Sequence, residues 1–583
     1  MLNLQSIVNS LVNVNDVATR LKLDKRRYKQ KIKQLESARY NYEKRWKNIR
    51  DYQLPHIGYF DDTEDSTNYA RRRDTKIYNG VAWESNIIFA SGLMSGLTPP
   101  SRQWFRLAFT NRELSDNSNF GAILDQRLEI LNDVLNKSNF YNAIHSDYLE
   151  IAFGQSVLSI FPDSKTGVHF VPYTIGTYYI EQGPDRNVNT ILVKTKMTAL
   201  QLQDKFGIEV LPQIIQNNIK NNQSVDAKYT VNWLVEPNRM ADANKIDKFH
   251  MPFISVYWLD EAEENEWLSI GGFQEFPAPV ARYLVNGNET YAKAPGWFAE
   301  ADNRSLQVLE KDDLVAVELG VKPPMQGSAN TAMKGVNLAP GSFNVTETED
   351  GIKPLFQVGV NLQHLHEKIQ QLEERIKRAY SADLFRMFTQ AQNDKNMTAR
   401  ETIARTQENL QQLGPVVERL QFEFLSPIIE RVYNILDRAG IFPPIEDPDM
   451  QEILNGEEIK IEYISPLAQA QKMSGLVNIE QAYAFVMQLA QGDPNILHKF
   501  NFVEALNRYF EMLGAPSTIR RTDDEYNQIM QGLQQQAQKQ EAEQNAMNMI
   551  QAAVPAAQAA KNATEAANDG NPALQQFLGI GGT

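Results

Sequence analysis

The amino-acid sequence predicts a mostly helical α+β fold, and three patterns support that fold class. Apolar and aromatic residues recur at helical spacing near the N-terminus, short runs of β-branched and aromatic residues follow residue 154, and a second helical pattern starts near residue 361. At roughly 150 residues per domain, the 583 residues form several domain-sized units. The sequence has no cysteine, which excludes disulfides, a thiol nucleophile, iron–sulfur clusters and cysteine-ligated zinc.

The charge of the chain is uneven. Residues 20–50 contain thirteen basic and three acidic residues, a net charge of +10. Because the whole chain carries −14, the other 552 residues carry −24. The sequence therefore describes a basic arm on an acidic body, and its acidic total argues against a protein that simply coats DNA.

The basic arm has the pattern of one long helix that ends at Pro55 and Gly58. Lysine and arginine stems can cover apolar surface, so we favour a solvated charged face over a packed aromatic stripe. Direct binding of nucleic acid by the arm is the alternative. The stripe consists of Tyr28, Ile32, Leu35, the stem of Arg39, Tyr42, Trp46 and Ile49.

An α+β unit follows the arm. Residues 75–149 keep a helical pattern with interruptions at Gly96, Pro99 and Pro100. Beyond them an antiparallel meander is predicted, with a short helix over 197–206 inserted between its strands. The predicted strands are 156–161, 168–173, 177–181, 189–196, 228–236 and 253–259, and the unit ends near 273–283.

The second half begins with two predicted helices. The first covers 302–319, and a stretch punctuated by glycine and proline then reaches residue 355, with one strand-like run at 342–346. The second helix, over 361–388, has a heptad seam suited to shallow packing against neighbouring helices, although an amphipathic helix within one domain fits the spacing equally well. The seam residues are Leu362, Leu365, Ile369, Leu372 and Ile376.

A polar stretch over 389–396 ends this helix, and a new helix begins at Thr398 with a capping box. Gly414 and Pro415 should kink the new helix because proline removes a backbone hydrogen bond. Pro427 should add a second bend before the helix ends near residue 438.

The C-terminal part alternates between clear and ambiguous signals. A strand is predicted at 458–464, and helices follow to about residue 513. From residue 523 the composition is rich in glutamine and alanine. That composition fits either a long polar helix or a disordered tail.

The search for a catalytic or metal site is negative. The sequence has no phosphate-binding loop, no dinucleotide-binding glycine motif and no His-Glu-x-x-His. His364 and His366 would point to different faces of a helix, so they cannot chelate one metal ion together. Four clustered glutamates could serve a two-metal nuclease, but an exposed hairpin tip is the favoured interpretation. These glutamates are Glu261, Glu263, Glu264 and Glu266.

We therefore predict no catalytic residue, no metal and no cofactor. The N-terminus lacks the pattern of a secretory signal, and the most apolar stretch, residues 87–97, is too short to span a bilayer. These features predict a soluble protein of a reducing compartment with no membrane partner.

Four parts of the chain resemble motifs of one protein family, in the family's order. Residues 91–105 (SGLMSGLTPPSRQWF) resemble the most recognisable N-terminal motif of podovirus head-to-tail connectors, the portal proteins of tailed bacteriophages. Residues 271–277 (GGFQEFP) and 291–296 (YAKAPG) are similar to the segment that enters the stem. Residues 414–431 (GPVVERLQFEFLSPIIER) resemble the long kinked helix, and residues 463–472 (YISPLAQAQK) resemble the start of the C-terminal helical region.

The resemblance implies a ring without enzymatic activity, usually of twelve subunits, at one capsid vertex of a short-tailed phage. Double-stranded DNA would pass through the ring during genome packaging and ejection. The implied partners are the terminase large subunit, a tail adaptor protein, and the major capsid and scaffolding proteins. The implied location is the head–tail junction of the virion, with the host cytoplasm during assembly.

The resemblance also implies a portal-type protomer with an α+β wing, a two-helix stem, a small α/β clip, a kinked long helix and a helical crown. Such protomers assemble into a cyclic ring. The corresponding residues are 1–301 (wing), 302–322 (stem helix), 323–356 (clip), 357–388 (stem helix), 389–397 (channel loop), 398–442 (kinked wing helix), 443–525 (crown) and 526–583 (tail or helical barrel).

The channel loop is the expected place of DNA contact. An acidic channel wall repels phosphate at short range, and a few amide or basic side chains then act as a bearing. Without the resemblance, a plain solvent-exposed connection is the simpler interpretation of this loop. A metal-dependent nuclease and a tail adaptor ring remain as alternative functions. The expected loop residues are Gln390, Gln392, Asn393, Asp394, Lys395 and Asn396.

Overall fold

Two compact units make up the chain. The first contains Met1–Ala108 and Leu124–Gly514, and the second contains Phe109–Ile123 and Ala515–Thr583. A computed structural model describes residues 14–21, 23–60, 76–110, 118–224, 226–242, 244–245, 247–260, 266–327, 337, 352–354, 362–391, 413–444, 459–492, 494–513 and 523–568.

Helices dominate the described chain. A π-helical segment, Gln421–Leu425, joins the helix over 413–420 to the helix Ser426–Arg438. The helices are α1 Val14–Arg20, α2 Lys25–Tyr52, α3 Val81–Leu97, α4 Ser118–Lys137, α5 Phe140–Glu150, α6 Ala199–Phe206, α7 Gln213–Lys220, α8 Pro295–Phe298, α9 Glu300–Val321, α10 Leu362–Ala379, α11 Ala382–Ala391, α12 413–420, α13 Ser426–Arg438, α14 Pro466–Ala490, α15 Phe502–Leu513 and α16 Asp523–Asn568.

The strands form two larger sheets and two short pairs. The sheets have the orders β3-β2-β9 and β4-β5-β6-β7-β8, and the pairs are β1-β12 and β10-β11. The strands are β1 Phe105–Phe109, β2 Gln155–Asp163, β3 Gly167–Tyr173, β4 Tyr178–Gln182, β5 Val188–Thr198, β6 Lys228–Pro237, β7 Phe253–Leu259, β8 Ser269–Phe273, β9 Val280–Arg282, β10 Met325–Gly327, β11 Ile352–Pro354 and β12 Ile459–Tyr463.

The single predicted meander is two antiparallel sheets instead. Pairing is antiparallel within both, as predicted. The connection between β3 and β4 binds other segments: Tyr59 N–H donates to the carbonyl of Ile175 (2.9 Å), and Arg39 donates to the carbonyls of Gly176 and Tyr178 (both 2.9 Å). Because these distant segments contact the connection, β3 and β4 end up in separate sheets.

The basic arm is one helix, α2, as predicted. Asp24 caps it by accepting a hydrogen bond from the backbone N–H of Arg26 (2.8 Å). Its apolar face packs with α1 against one side of the five-stranded sheet, while α6 and α7 cover the other side. The buried residues on the arm's side include Tyr28, Ile32, Leu35, Leu192, Leu234, Val256, Trp258 and Trp267.

Two elements of the second half differ from the sequence prediction. The helix expected over 361–388 is broken at Ser381, whose φ of 53° lies in the left-handed region, and it continues as α11. The break lets both Tyr380 and Phe385 reach Phe89, with ring centroids at 6.5 and 5.9 Å. Strand β1 interrupts the region expected to be helical, because it pairs with the distant β12.

The remaining predictions have mixed outcomes. Helix α9 and strand β12 lie where they were expected. Of the two readings of the C-terminal segment, the structure has the helix: α16 runs over 46 residues with Pro555 inside it. The strand expected at 342–346 and the helix start at Thr398 lie outside the described residues.

Candidate functional site

The two helices that the resemblance assigns to the stem, α9 and α10, pack against each other. Ile369, Leu372 and Ile376 of the heptad seam are buried, and Leu365 is half-buried. The Leu362 side chain lies outside the described residues. The seam thus packs within the protomer, and its role in a ring stays a prediction.

Polar contacts fix the pairing of α9 with α10. The Asn79 side-chain amide donates to Glu310 on α9 (2.6 Å) and to Glu373 on α10 (2.8 Å). Arg375 of α10 forms an ion pair with Asp302 of α9 at 2.9 Å. These contacts join the two helices near the end of α9 that meets the first unit's core.

The start of α9 is anchored by buried amides. Gln307 accepts hydrogen bonds from the backbone N–H groups of Tyr78 (2.6 Å) and Asn79 (2.9 Å) and donates to the Asn79 carbonyl (2.9 Å). Gln53 donates to the Gly296 carbonyl and accepts from the Tyr380 hydroxyl, both at 2.9 Å. Both glutamines are buried, so the contacts hold α9 and α10 in fixed positions on the unit.

The channel-loop residues are described only at their beginning. Gln390 lies in the last turn of α11, so the helix reaches further into the predicted loop than the sequence suggested. The Gln390 side chain is not described, and the other five predicted residues, 392–396, lie outside the described residues. Their contact with DNA therefore stays a prediction.

Helix α3 explains why the 91–105 segment contains two glycines. A Cβ at Gly92 would lie 2.2 Å from the ring of Phe385 on α11, and a Cβ at Gly96 would lie 2.4 Å from Leu467 on α14. Only glycine allows these two helices to approach so closely. Trp104, near the end of the segment, is buried between Phe140 and Tyr463, with the rings stacked at centroid distances of 6.1 and 6.4 Å.

The predicted kink region contains an irregular helix. Gly414 and Pro415 lie in the first described turn of α12, so the kink between them and the preceding residues stays a prediction. The observed irregularity is the π-helical segment before Pro427, where a wider turn relieves the clash of the proline ring with the preceding carbonyl. Tyr463 contacts this segment by donating to the Gln421 carbonyl (3.1 Å), and its hydroxyl also lies 2.8 Å from the Ser426 hydroxyl.

The buried Arg431 links α13 to strand β2 and to the segment that follows β8. Arg431 donates to the carbonyl of Ile160 on β2 (3.0 Å) and to the Glu275 carboxylate (3.2 Å). Burial lowers the pKa of the Arg431 guanidinium to about 10, while Glu275 opposes that shift. In the π-helical segment Glu423 accepts from Arg282 of β9 at 2.7 Å. The long helix is therefore held on the sheet by paired charges rather than by apolar packing alone.

Two carboxyl groups of α5, those of Asp147 and Glu150, are buried, and neither forms an ion pair within the described residues. The backbone N–H of Ile175 donates to Glu150 (2.8 Å), but burial raises the pKa of the Glu150 carboxyl to about 8. Burial and the neighbouring Glu150 raise the pKa of Asp147 well above its usual range. Both groups bind a proton more readily in the folded protein than in the unfolded chain.

The acidic cluster is mostly not described. Glu261, Glu263 and Glu264 lie outside the described residues, and the Glu266 carbonyl accepts from Lys25 (3.3 Å). Strands β7 and β8 flank it as an antiparallel hairpin, which fits the favoured interpretation. Among the described residues, no three His, Asp or Glu side chains form a group that could hold a metal ion. The helices of the same residues include none that is long and apolar enough to cross a membrane.

Comparison with known proteins gives a match over most of the chain. The model of the bacteriophage head to tail connecting protein family matches residues 25–520. The chain belongs to this family. It is 32% identical over 564 residues to the portal protein of Salmonella phage epsilon15, covering 96% of this chain and 99% of that one. It is 30% identical over 528 residues to the probable portal protein of Bordetella phage BPP-1, covering 90% and 93%.

Membership in the head-to-tail connecting family confirms the resemblance that the sequence motifs carried. The four motif regions also contact one another in this connecting protein. The first reaches the fourth through Gly96 and Leu467, the fourth reaches the third through Tyr463 and Ser426, and the third reaches the second through Arg431 and Glu275. The family is one of structural proteins, and these contacts are structural in kind.

Several residues that organise this connecting protein were not singled out by sequence reasoning. Asn79, Gln307 and Gln53 lie outside the four motif regions, and only the folded chain brings Asn79 and Gln53 to the helices α9 and α10. Arg431 and Glu275 lie in two different motif regions. The sequence signal available for their pairing was that one region contains a basic residue and the other an acidic residue.

Proposed function

We propose that this connecting protein is a portal protein, a ring of identical subunits at one capsid vertex of a short-tailed phage through which double-stranded DNA enters and leaves. The observation that carries the proposal is an alignment with a named portal protein that covers nearly all of both chains. No feature of the described residues favours a nuclease or a tail adaptor over a portal protein.

Within this proposal, α9 and α10 form the stem, β10 and β11 belong to the clip, and α14 and α15 belong to the crown. The connection after α11 is the channel loop. The docking partners are the terminase large subunit during packaging, the tail adaptor afterwards, and the surrounding capsid and scaffolding proteins. The buried residues of α9, Asn303, Leu306 and Gln307, all lie in its N-terminal part, which supports this arrangement.

The surface of α9 supports assembly into a ring. A cyclic ring needs two different contact faces on each subunit, because its contacts are head-to-tail. One flank of α9 exposes Leu314, Val317 and Val321, and another flank exposes Val308 and Val315. Charged residues separate the flanks on the side away from α10; they are Lys311, Glu318 and Lys322. Two apolar flanks on one helix suit a neighbour on each side.

Electron microscopy of the purified protein tests the proposal directly. We expect rings with a central hole wide enough for duplex DNA. A protein that stays monomeric at micromolar concentration and cleaves DNA in the presence of divalent metal ions would contradict the portal and support the nuclease.

The channel loop is tested by replacing residues 390–395 with glycine and serine. Heads assembled with this variant should retain less DNA per head, because the bearing side chains are lost while the ring is unchanged. The control replaces residues 221–224, an exposed turn after α7, in the same way. Equal DNA content in both variants would remove the loop's proposed role.

A further inference from the structure

Eight of the eleven basic residues of α2 fall into two sets. On the side that faces the body, basic side chains are paired with carboxylates: Arg27 with Glu236 (2.8 Å), Lys31 with Glu181, Arg39 and Lys47 with Glu43 (2.9 and 3.1 Å), and Arg45 with Glu300 (3.6 Å). Glu36 also faces the body, where it pairs with Lys194 (2.7 Å). The arm's own acidic residues and the nearby acids of the body are therefore used on this side.

The opposite side of α2 carries a second set. Lys29, Lys33 and Lys44 are exposed, and none of them forms an ion pair within the described part of the chain. Tyr40 lies on the same line of the helix with 72% of its surface exposed. The other exposed residues of this side are polar and mostly neutral: Gln30, Gln34, Ser37 and Asn41. Glu36 lies one turn from both Lys33 and Tyr40, but its carboxylate is paired with Lys194 (2.7 Å).

We propose that this outer stripe of α2, defined by Lys29, Lys33, Tyr40 and Lys44, binds the phosphate backbone of double-stranded DNA at a surface separate from the channel loop. The inference rests on the proposed portal function, because that function brings duplex DNA to the protein.

The geometry and composition of the stripe favour DNA over an acidic protein. Lys29 and Lys44 are fifteen positions apart, about 22 Å along a helix, which is the length of several consecutive phosphates on a duplex. Amide, hydroxyl and lysine side chains are the usual donors to phosphate. Protein interfaces are instead depleted in lysine and need apolar anchors, and the stripe offers only one aromatic ring.

The stripe also differs from a channel lining in its physical effect. Lysines that neutralise phosphate release counterions and bind tightly at low salt, which would slow a sliding duplex. A stripe of this kind suits DNA that is held rather than DNA in transit. The remaining charge of the body, −24, keeps duplex DNA from binding elsewhere at random.

The test measures binding of a fluorescent 30-base-pair duplex to the full-length assembled protein over a range of salt concentrations. The variant K29Q/K33Q/K44Q should bind at least about tenfold more weakly at 0.1 M salt, and its salt slope should fall by about 2.7, since each lost phosphate contact removes about 0.9. The control variant K165Q/K220Q/K228Q removes the same charge from other exposed positions.

The outcomes separate the possibilities. Equal affinity of the stripe variant and the wild type, or equal losses in the stripe and control variants, would overturn the proposal. Loss of binding to a polyglutamate peptide without loss of duplex binding would assign the stripe to an acidic protein and also overturn it. Electron microscopy of every variant keeps the two proposals apart: rings without a stripe effect contradict only this inference, whereas absence of rings contradicts the portal.

Discussion

Glu150 and Asp147 lie three residues apart on α5, in the interior of the first unit. Both are almost fully inaccessible to solvent, and the described residues place no basic side chain in an ion pair with either. A buried carboxyl group is least costly when it is neutral, so these groups favour the protonated form. The acidic body of the protein therefore contains a carboxyl group, that of Glu150, whose charge depends on pH near neutrality.

The first prediction concerns Glu150. The pKa of its carboxyl group is about 8 in the folded protein and about 4.5 in the unfolded chain. Between pH 4.5 and pH 8 the protein therefore takes up a proton when it folds. The contribution of this group to the free energy of unfolding is fully present below pH 4.5 and is lost as the pH rises through 8. We expect the midpoint of thermal unfolding to fall from pH 5 to pH 8 in the wild type and to fall less in Glu150→Gln. The control, Glu209→Gln, changes an exposed carboxylate. Identical pH slopes in all three proteins would contradict the prediction.

Sequence patterns predict which residues are buried when burial follows from the spacing of apolar residues along one helix. The spacing of Ile369, Leu372 and Ile376 predicted a buried stripe, and all three are buried. Asp147 and Glu150 carry no such signal, because the burial of α5 depends on α3 and on the segment around Ile175, which lie elsewhere in the sequence. A polar residue's burial depends on tertiary packing, which periodicity does not report.

At the scale of elements, the packing of α3 is the clearest feature. Two other helices approach it at glycine positions, and aromatic side chains fill the space around them. Phe89 of α3 is near Tyr283, Tyr380 and Phe385 in edge-to-face arrangements. Small changes on this face of α3 should affect how α11 and the following predicted loop are held.

The second prediction is that Gly92→Ala destabilises the protein although alanine is the better helix former. The added methyl group would overlap Phe385, and overpacking of this kind typically costs about 1–3 kcal/mol. The control is Gly320→Ala in α9, where a Cβ meets no atom within 4 Å and the gain in helix propensity is up to about 1 kcal/mol. Thermal unfolding of both variants checks the difference. A midpoint for Gly92→Ala at or above that of Gly320→Ala would show that the close approach is unimportant.

Elements whose residues are placed by local spacing were predicted more easily than elements that depend on contacts between residues far apart in the sequence. Helices with a regular apolar stripe, such as α2 and α10, were predicted from sequence because their buried faces show in the spacing. Strand β1 was missed since its partner β12 lies about 350 residues later, and the break at Ser381 was missed because serine is not a strong turn signal. The channel loop depended on the family resemblance, since its composition alone fits any exposed connection.

At the scale of the whole molecule, the uneven charge has a structural explanation. The body-facing basic side chains of α2 neutralise acids of the first unit, so the arm stabilises an acidic body instead of standing free from it. Lys29, Lys33 and Lys44, which form no ion pair within the described residues, lie on one outer stripe. The net charge of −14 therefore combines an internally compensated arm with an acidic remainder suited to a conduit.

The last prediction concerns ring assembly through α9. The variant Leu314→Asn, Val317→Thr and Val321→Thr makes one flank polar with little change in shape. Burying a leucine or valine side chain contributes about 1.5–3 kcal/mol, so each subunit contact should weaken by several kcal/mol and the fraction of rings should fall steeply on dilution. Native mass spectrometry and electron microscopy measure that fraction.

The matched control for ring assembly changes the charged face between the flanks, with Lys311→Gln and Glu318→Gln on the same helix and Lys322→Gln at the residue that follows it. These side chains are exposed and are not expected to lie in the subunit contact, so rings should persist on dilution. Because head-to-tail contacts need both flanks, Val308→Thr with Val315→Thr should also weaken the ring. Rings that survive both flank variants at the dilution where the control stays assembled would mean that α9 does not form the subunit interface and that the contact lies elsewhere on the protein.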